Sequence, residues 1–464
     1  MTALRGVAAW TGPVLVGALT TRVAAGAPDA PMLVLAAVVA PLVAILQPRG
    51  DDAPHLVSAA ATAVSVTLLL AASFVPFGDA AALLGAQRWL GIVVAATVVT
   101  LPAVIPGGDR WRMAALAAGG GALVVAVVVL AGATALSPLS AWREAAARPA
   151  LLFGAHSAWI AEGGGWFARR TTLTFDEGHR LVAVAPATFR VVERDGTNDV
   201  VRDWRLAAGD PLSVRPGDRV TVQAGSRVRF QAGKRVPGAA ASGAAWADAG
   251  LAPFVGSVAA LVTLMLGAIG LVPAAGRRGF AAPAMLLVVA LAAACWGVYA
   301  VVTAPEAMLS GSLAEPFLSV PSAVPGARGL VLLVVAALLG LFIAAAGALR
   351  ERLVTLAGAR GSAAWLLAVA VAAVASLVPF DAWFLLMAGL GMAAATLGAP
   401  RLAGAGGARV AGWPLQAIGA LAGGLVFAAV AALGPRLPAA LAIVAEWPVL
   451  LAVPAAWLVV KFLR

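Results

Sequence analysis

The chain has 464 residues, is 62% hydrophobic and only 11% charged, and carries a formal net charge of +11. A mean hydropathy of +0.96, with repeated long apolar runs, excludes an ordinary soluble enzyme and places it in the membrane class. The basic balance points to loops that set orientation and meet anionic lipid, and not to nucleic acid.

The first stretch, MTALRGVAAWTGPVLVGALTTRVAAGAPDA, has Arg5, a short apolar core and AAGA, as a secretory signal does. Because further apolar segments follow throughout the chain, the expectation is a retained first helix. Segments near 6–21, 31–47, 55–76, 88–105 and 112–136 precede a polar region. Segments near 251–273, 279–303, 328–349, 361–379, 381–399, 410–434 and 438–461 follow it. The reading is a polytopic α-helical membrane protein of about 12 transmembrane helices, divided into 1–136, a polar insert at 137–250, and 251–464.

Outside the insert, 13 Lys and Arg lie in one set of alternating loops, among them Arg110, Arg277, Arg278, Arg350, Arg352 and Arg401. The other set holds only Arg22, Arg88, Arg328 and Arg436. That asymmetry predicts cytoplasmic termini and an insert on the outer face, the periplasmic side of a bacterial inner membrane.

The insert carries 15 basic and 11 acidic residues, so it is solvated. RTTLTF, RLVAVA, TFRVVERD and PLSVRPGDRVTVQAGSRVRF alternate apolar with polar residues, and DEG, DGTN, RPGD and QAGS are turn signals between or within them. This predicts a small all-β sandwich or barrel over about 170–236. Ahead of it, Trp142, Trp159, Trp166 and Phe167 mix with arginines as in a helix lying on a bilayer surface. Trp159, Trp166, Arg227, Arg229, Lys234 and Arg235 are the candidate contacts for lipid or a protein partner, with solubility as the competing meaning of KRVPG.

ASFVPFGDA at 72–80 recurs as ASLVPFDA at 375–382. Past the extra Gly78 the offset is 302, and it aligns Trp111 with Trp413, Gly121 with Gly423 and Gly132 with Gly434. An internal duplication would give parallel six-helix halves, an arrangement known in secondary transporters.

Ionisable groups deep in apolar segments mark function because they are costly there. Asp79 and Asp381 fall at the VPF segments, read as outer loops, where capping of the following helix competes with a transport-related role. Glu446 is the one carboxylate inside an apolar run, with a proton-linked role weighed against a place beside a belt tryptophan. Asp51, Asp52 and His55 form a weak ligand set, as do His156 and His179, and Cys295 is the single cysteine. No pattern points to a particular cofactor. Ser58, Thr62 and Ser65 share one face of the third segment, as a polar path or an interhelical hydrogen-bonded seam would. GGG at 119–121 and GALAGG at 419–424 are expected to serve close helix packing.

With no acid–base pair at one depth, the functional expectation is a non-catalytic membrane subunit or scaffold that presents the β-domain for docking to other membrane or periplasmic proteins. The alternative is a transporter or flippase for a lipidic or neutral substrate.

Overall fold

The structure, a computed structural model, describes residues 13–24, 34–37, 39–40, 56–104, 108–147, 165–167, 170–195, 198–223, 225–231, 234, 237, 251–271, 281–304, 313–378, 382–405, 413–433, 444 and 447–463. Before the β-region come α1 (Pro13–Ala24), α2 (Leu56–Leu83), α3 (Arg88–Val104), α4 (Gly108–Thr134) and α5 (Pro138–Ala147). After it come α6 (Leu251–Leu271), α7 (Ala281–Thr303), α8 (Glu315–Ala323), α9 (Leu330–Ala357) and α10 (Gly361–Leu377). The last described helices are α11 (Ala382–Ala393), which passes through a π-turn (Ala394–Gly398) into α12 (Ala399–Ala405), then α13 (Trp413–Leu433) and α14 (Val449–Phe462).

Among the described residues six stretches are long and apolar enough to cross a membrane: Leu56–Ala82, Ala114–Thr134, Met285–Thr303, Leu330–Ala357, Ala382–Ala403 and Pro414–Leu433. At 1.5 Å rise per residue, about 20 residues cross the ~30 Å hydrocarbon layer. The chain is therefore a multi-pass membrane protein. Four further apolar helices are shorter, at 10–17 residues. Val128, Leu332, Leu367, Val374 and Leu425 face outward from these helices, the polarity expected where the surrounding solvent is lipid.

Helix packing runs through small residues, which let backbones approach. A Cβ on Gly119 of α4 would stand 2.7 Å from the Ala337 carbonyl oxygen of α9, and one on Gly340 the same distance from that of Ala115. In the second glycine-rich run, a Cβ on Gly423 would be 2.5 Å from the Ala395 oxygen. Both runs thus mark close contacts, although nothing lies within 4 Å of a Cβ on Gly121.

The two VPF segments differ in structure. Pro76, Gly78 and Asp79 lie inside α2, which continues unbroken to Leu83. At the second copy α10 stops at Leu377 and Val378 is extended, with ψ 138°. Asp79 is therefore in a helix and not in a loop. Phe74 and Phe77 both pack on Phe342 of α9, at 5.7 and 5.2 Å between ring centroids. That packing carries the helix past a proline that local propensity alone reads as a break.

The β-region consists of β1 (Gly165–Trp166), β2 (Thr171–Thr174), β3 (His179–Ala183), β4 (Ala187–Asp195), β5 (Asn198–Leu206), β6 (Pro211–Val214), β7 (Arg219–Val222) and β8 (Arg227–Arg229). They form two four-stranded antiparallel sheets, ordered β1-β8-β3-β6 and β2-β7-β4-β5. The alternation in sequence becomes alternation in burial: Leu173, Leu181, Phe189, Val191, Leu212, Val220 and Val228 turn inward. Two turns repeat one device. In AAGD and RPGD the aspartate carboxylate accepts the N–H three residues earlier, Ala207 to Asp210 and Arg215 to Asp218, each at 2.8 Å. Gly209 and Gly217, with φ of +92° and +89°, supply the left-handed residue these turns require.

Candidate functional site

The basic and aromatic candidates converge only in part. Trp166 on β1 lies directly opposite Arg227 on β8, and Arg229 lies opposite Val182 on β3. Arg227 is exposed and Arg229 half-buried. Lys234 reaches back to donate to the Gly178 carbonyl at 2.5 Å, so its ammonium ties down the turn before β3. Trp159 and Arg235 lie outside the described residues.

Among the carboxylates, Asp79 forms an ion pair with Arg88 at 3.2 Å, bridging the turn from α2 to α3. Asp381 and Glu446 lie outside the described residues, as do Asp51, Asp52, His55 and His156. His179 is buried in the β-core, edge-on to Phe175 and Phe230 at 5.4 and 5.7 Å. Among the described residues no three His, Cys, Asp or Glu side chains cluster as metal ligands would. Ser58, Thr62 and Ser65 are buried on α2 as their spacing implies. The hydroxyls of Thr62 and Ser65 make no hydrogen bond to any described residue, so at those two positions no interhelical seam is formed.

Among the described residues the most buried carboxylate, Glu315, lies between two of the apolar segments expected to cross the membrane. α8 occupies the connection between α7 and α9, and its residues from Glu315 to Pro321 are buried. Glu315 is 1% exposed, and its Oε1 accepts a hydrogen bond from Ser319 Oγ at 2.7 Å, one turn further on. Trp296 of α7 donates its indole N–H to the Pro316 carbonyl at 3.1 Å and stacks on Phe317 at 5.8 Å. An acidic residue before a proline and then apolar residues is a helix start, and it was the available signal.

A second buried polar cluster closes the C-terminus of α6. Arg401 of α12 donates to the Ile269 carbonyl at 2.7 Å, and Arg352 of α9 to that of Gly270 at 3.4 Å. Both guanidinium groups meet carbonyls that a helix end leaves without intrahelical partners, at the negative end of its dipole.

On the β-module, β5 is the terminal strand of its sheet and is exposed from Asp199 to Arg205. Val200, Val201 and Trp204 on it are 37%, 58% and 40% exposed. Beside it lies a recess of about 390 Å³ lined by Pro186, Thr188, Arg205, Leu206, Gln223 and Ser226. Arg190 holds Asp203 through two bonds, at 2.8 and 3.1 Å. This hydrogen-bonded guanidinium draws the Asp203 carboxyl below its ordinary range.

No family model, curated protein or solved structure matches this chain.

Proposed function

We propose that the chain is a non-catalytic integral subunit or scaffold of a larger inner-membrane assembly that presents the β-module in the periplasm for docking. The observation that carries this reading is β5, a nine-residue edge strand with Val200, Val201 and Trp204 exposed. Such an edge is a template for pairing with another chain, and β5 sets no proline, lysine or bulge against it. The proposal includes about twelve membrane crossings, counted from the apolar segments, with both termini cytoplasmic. Contacts between helix ends support the alternation of sides that this count implies. Tyr299 Oη donates to the Leu136 carbonyl at 2.6 Å, joining two ends assigned to the outer face. Arg352 and Arg401, both from the arginine-rich set of loops, meet the end of α6 that leads into Arg277 and Arg278. Gentle extraction from native membranes followed by mass spectrometry is expected to yield a stoichiometric complex larger than one chain. A lone monomer overturns the reading.

A second reading, a transporter or flippase for a lipidic or neutral substrate built from two repeated halves, draws support from Glu315. A carboxylate buried in a helical bundle is a functional candidate by its cost alone. The buried hydroxyls of Thr62 and Ser65 add polar lining on α2. In vesicles carrying a fluorescent phospholipid, the wild-type chain is then expected to speed transbilayer movement, and Glu315→Gln to slow it roughly tenfold. Vesicles in which the wild-type chain moves no lipid remove this reading's flippase form.

A further inference from the structure

The open edge of β5 supports a more specific statement, which rests on reading the β-module as a docking element. β5 pairs with β4 from Asp195↔Asn198 to Ala187↔Leu206 with no bulge. In a two-residue hairpin the pair flanking the turn is hydrogen-bonded, and the pattern alternates from there. Asn198, Val200, Arg202, Trp204 and Leu206 therefore bond to β4. Asp199, Val201, Asp203 and Arg205 direct their N–H and C=O groups to the other side, where no described strand pairs with them. Proline, lysine, bulges and short length are absent from the nine residues of β5, so its edge is guarded only by charge, on Asp199, Arg202, Asp203 and Arg205.

Trp204 stands opposite Phe189 and Arg202 opposite Val191. Phe189 and Val191 are buried, whereas Trp204 is 40% exposed, so the sandwich covers β4 and leaves β5 projecting beyond it. We propose that a second copy of this chain occupies that edge, with the two β5 strands antiparallel about a two-fold axis at Arg202.

Arg202 is the centre of β5, so an axis there pairs all nine residues, whereas one at Val200 or Trp204 pairs only five, and charge separates it from the two adjacent registers. Two-fold antiparallel pairing joins like faces, so the axis must pass through a residue position on the strand. With the axis at Arg202, Asp199 faces Arg205 twice and Val200 faces Trp204 twice, both favourable cross-strand pairs. An axis at Val201 sets Asp199 against Asp203 twice, and one at Asp203 sets that aspartate against its own copy, as the chosen axis does Arg202, but forms no Asp–Arg pair. Like charges directly opposite are destabilising. The two Arg202 side chains that meet at the chosen axis each lie 3.5 Å from Glu193, so charges of both signs gather there. The result is an isologous dimer with one continuous eight-stranded sheet. Two copies in one bilayer share an axis along the membrane normal, so this sheet then lies parallel to the membrane surface.

The only cysteine is Cys295, so single cysteines can be placed along β5 of the full-length protein in a Cys295→Ala background. A residue on the axis at a non-hydrogen-bonded position meets its own copy at about 4.5 Å between Cα atoms, within disulfide reach, and its neighbours along the strand do not. Oxidation of native membranes is expected to convert Arg202→Cys to a covalent dimer, with Val201→Cys and Asp203→Cys roughly tenfold less reactive. Adding Asp199→Arg is expected to lower the Arg202→Cys yield about tenfold, and adding Arg205→Asp as well to restore it. A maximum at 201 or 203 overturns the register, and failure of the charge exchange to restore the yield overturns the pairing. Absence of cross-links at every position, in a chain that co-purifies with a different protein, removes self-pairing and leaves the docking reading in place. A monomer without partners removes both.

Discussion

Single residues in this protein act through how closely they let backbones approach. Gly398, in the π-turn, would place a Cβ 2.1 Å from the Leu266 carbonyl oxygen of α6. Gly270, on the facing helix, would place one 2.8 Å from the Ala393 oxygen. Both obstructing atoms are backbone, so no side chain can turn aside and a whole helix must move. Gly398→Ala is expected to lower stability by about 1–3 kcal/mol, read as a lower unfolding temperature in detergent. Gly121→Ala is the control, because nothing lies within 4 Å of its added Cβ. The glycine runs were legible in the sequence as packing signals. Which glycine meets backbone and which faces open space was not, because that depends on the partner helix.

At the scale of elements, β5 shows why a strand can escape notice. Period-two alternation arises when one face is buried. NDVVRDWRL lies at a sheet edge beyond the cover of the opposing sheet, so no such pattern is imposed on it. DGTN was legible as a turn, and it joins β4 to this unannounced partner. The hairpin is held partly by the bidentate Arg190–Asp203 pair. Because the folded carboxyl is drawn below its ordinary range, its contribution is present above that range and is lost as pH falls through the folded value. Amide exchange of β5 in the full-length protein is expected to quicken at acid pH relative to its intrinsic rate, and Asp203→Asn to flatten that dependence. The effect is small because the pair is exposed to solvent. α8 escaped for a different reason: its apolar residues are too few to register as a span, yet the bundle encloses them.

Across the whole molecule, two polarities coexist. The helices turn Leu332, Val374 and Leu425 outward and draw glycine and alanine inward. The β-module places Leu181, Phe189 and Val220 in its core and leaves charge outside. α2 is the hub of the helical part, touching α3, α9, α10 and α11. Its Asp79, expected in a loop, instead pairs with Arg88 of the next helix. The carboxylate and hydroxyls of the second reading lie within this bundle, whereas the docking edge lies on the module. Loss of lipid movement in Glu315→Gln and loss of dimer in Asp199→Arg would therefore report on different parts of the same chain.

Hydropathy and charge by themselves determined that the protein is a multi-pass membrane protein with a solvated, strand-rich insert, because transfer free energy is summed locally along the chain. Alternation and turn chemistry likewise determined most of the strands. Tertiary structure alone decided that α2 runs through Pro76, that α8 buries Glu315, that Arg352 and Arg401 close α6, and that β5 stands at an open edge. Each of these depends on a neighbour distant in sequence, and burial by such a neighbour overrides what a local pattern can express.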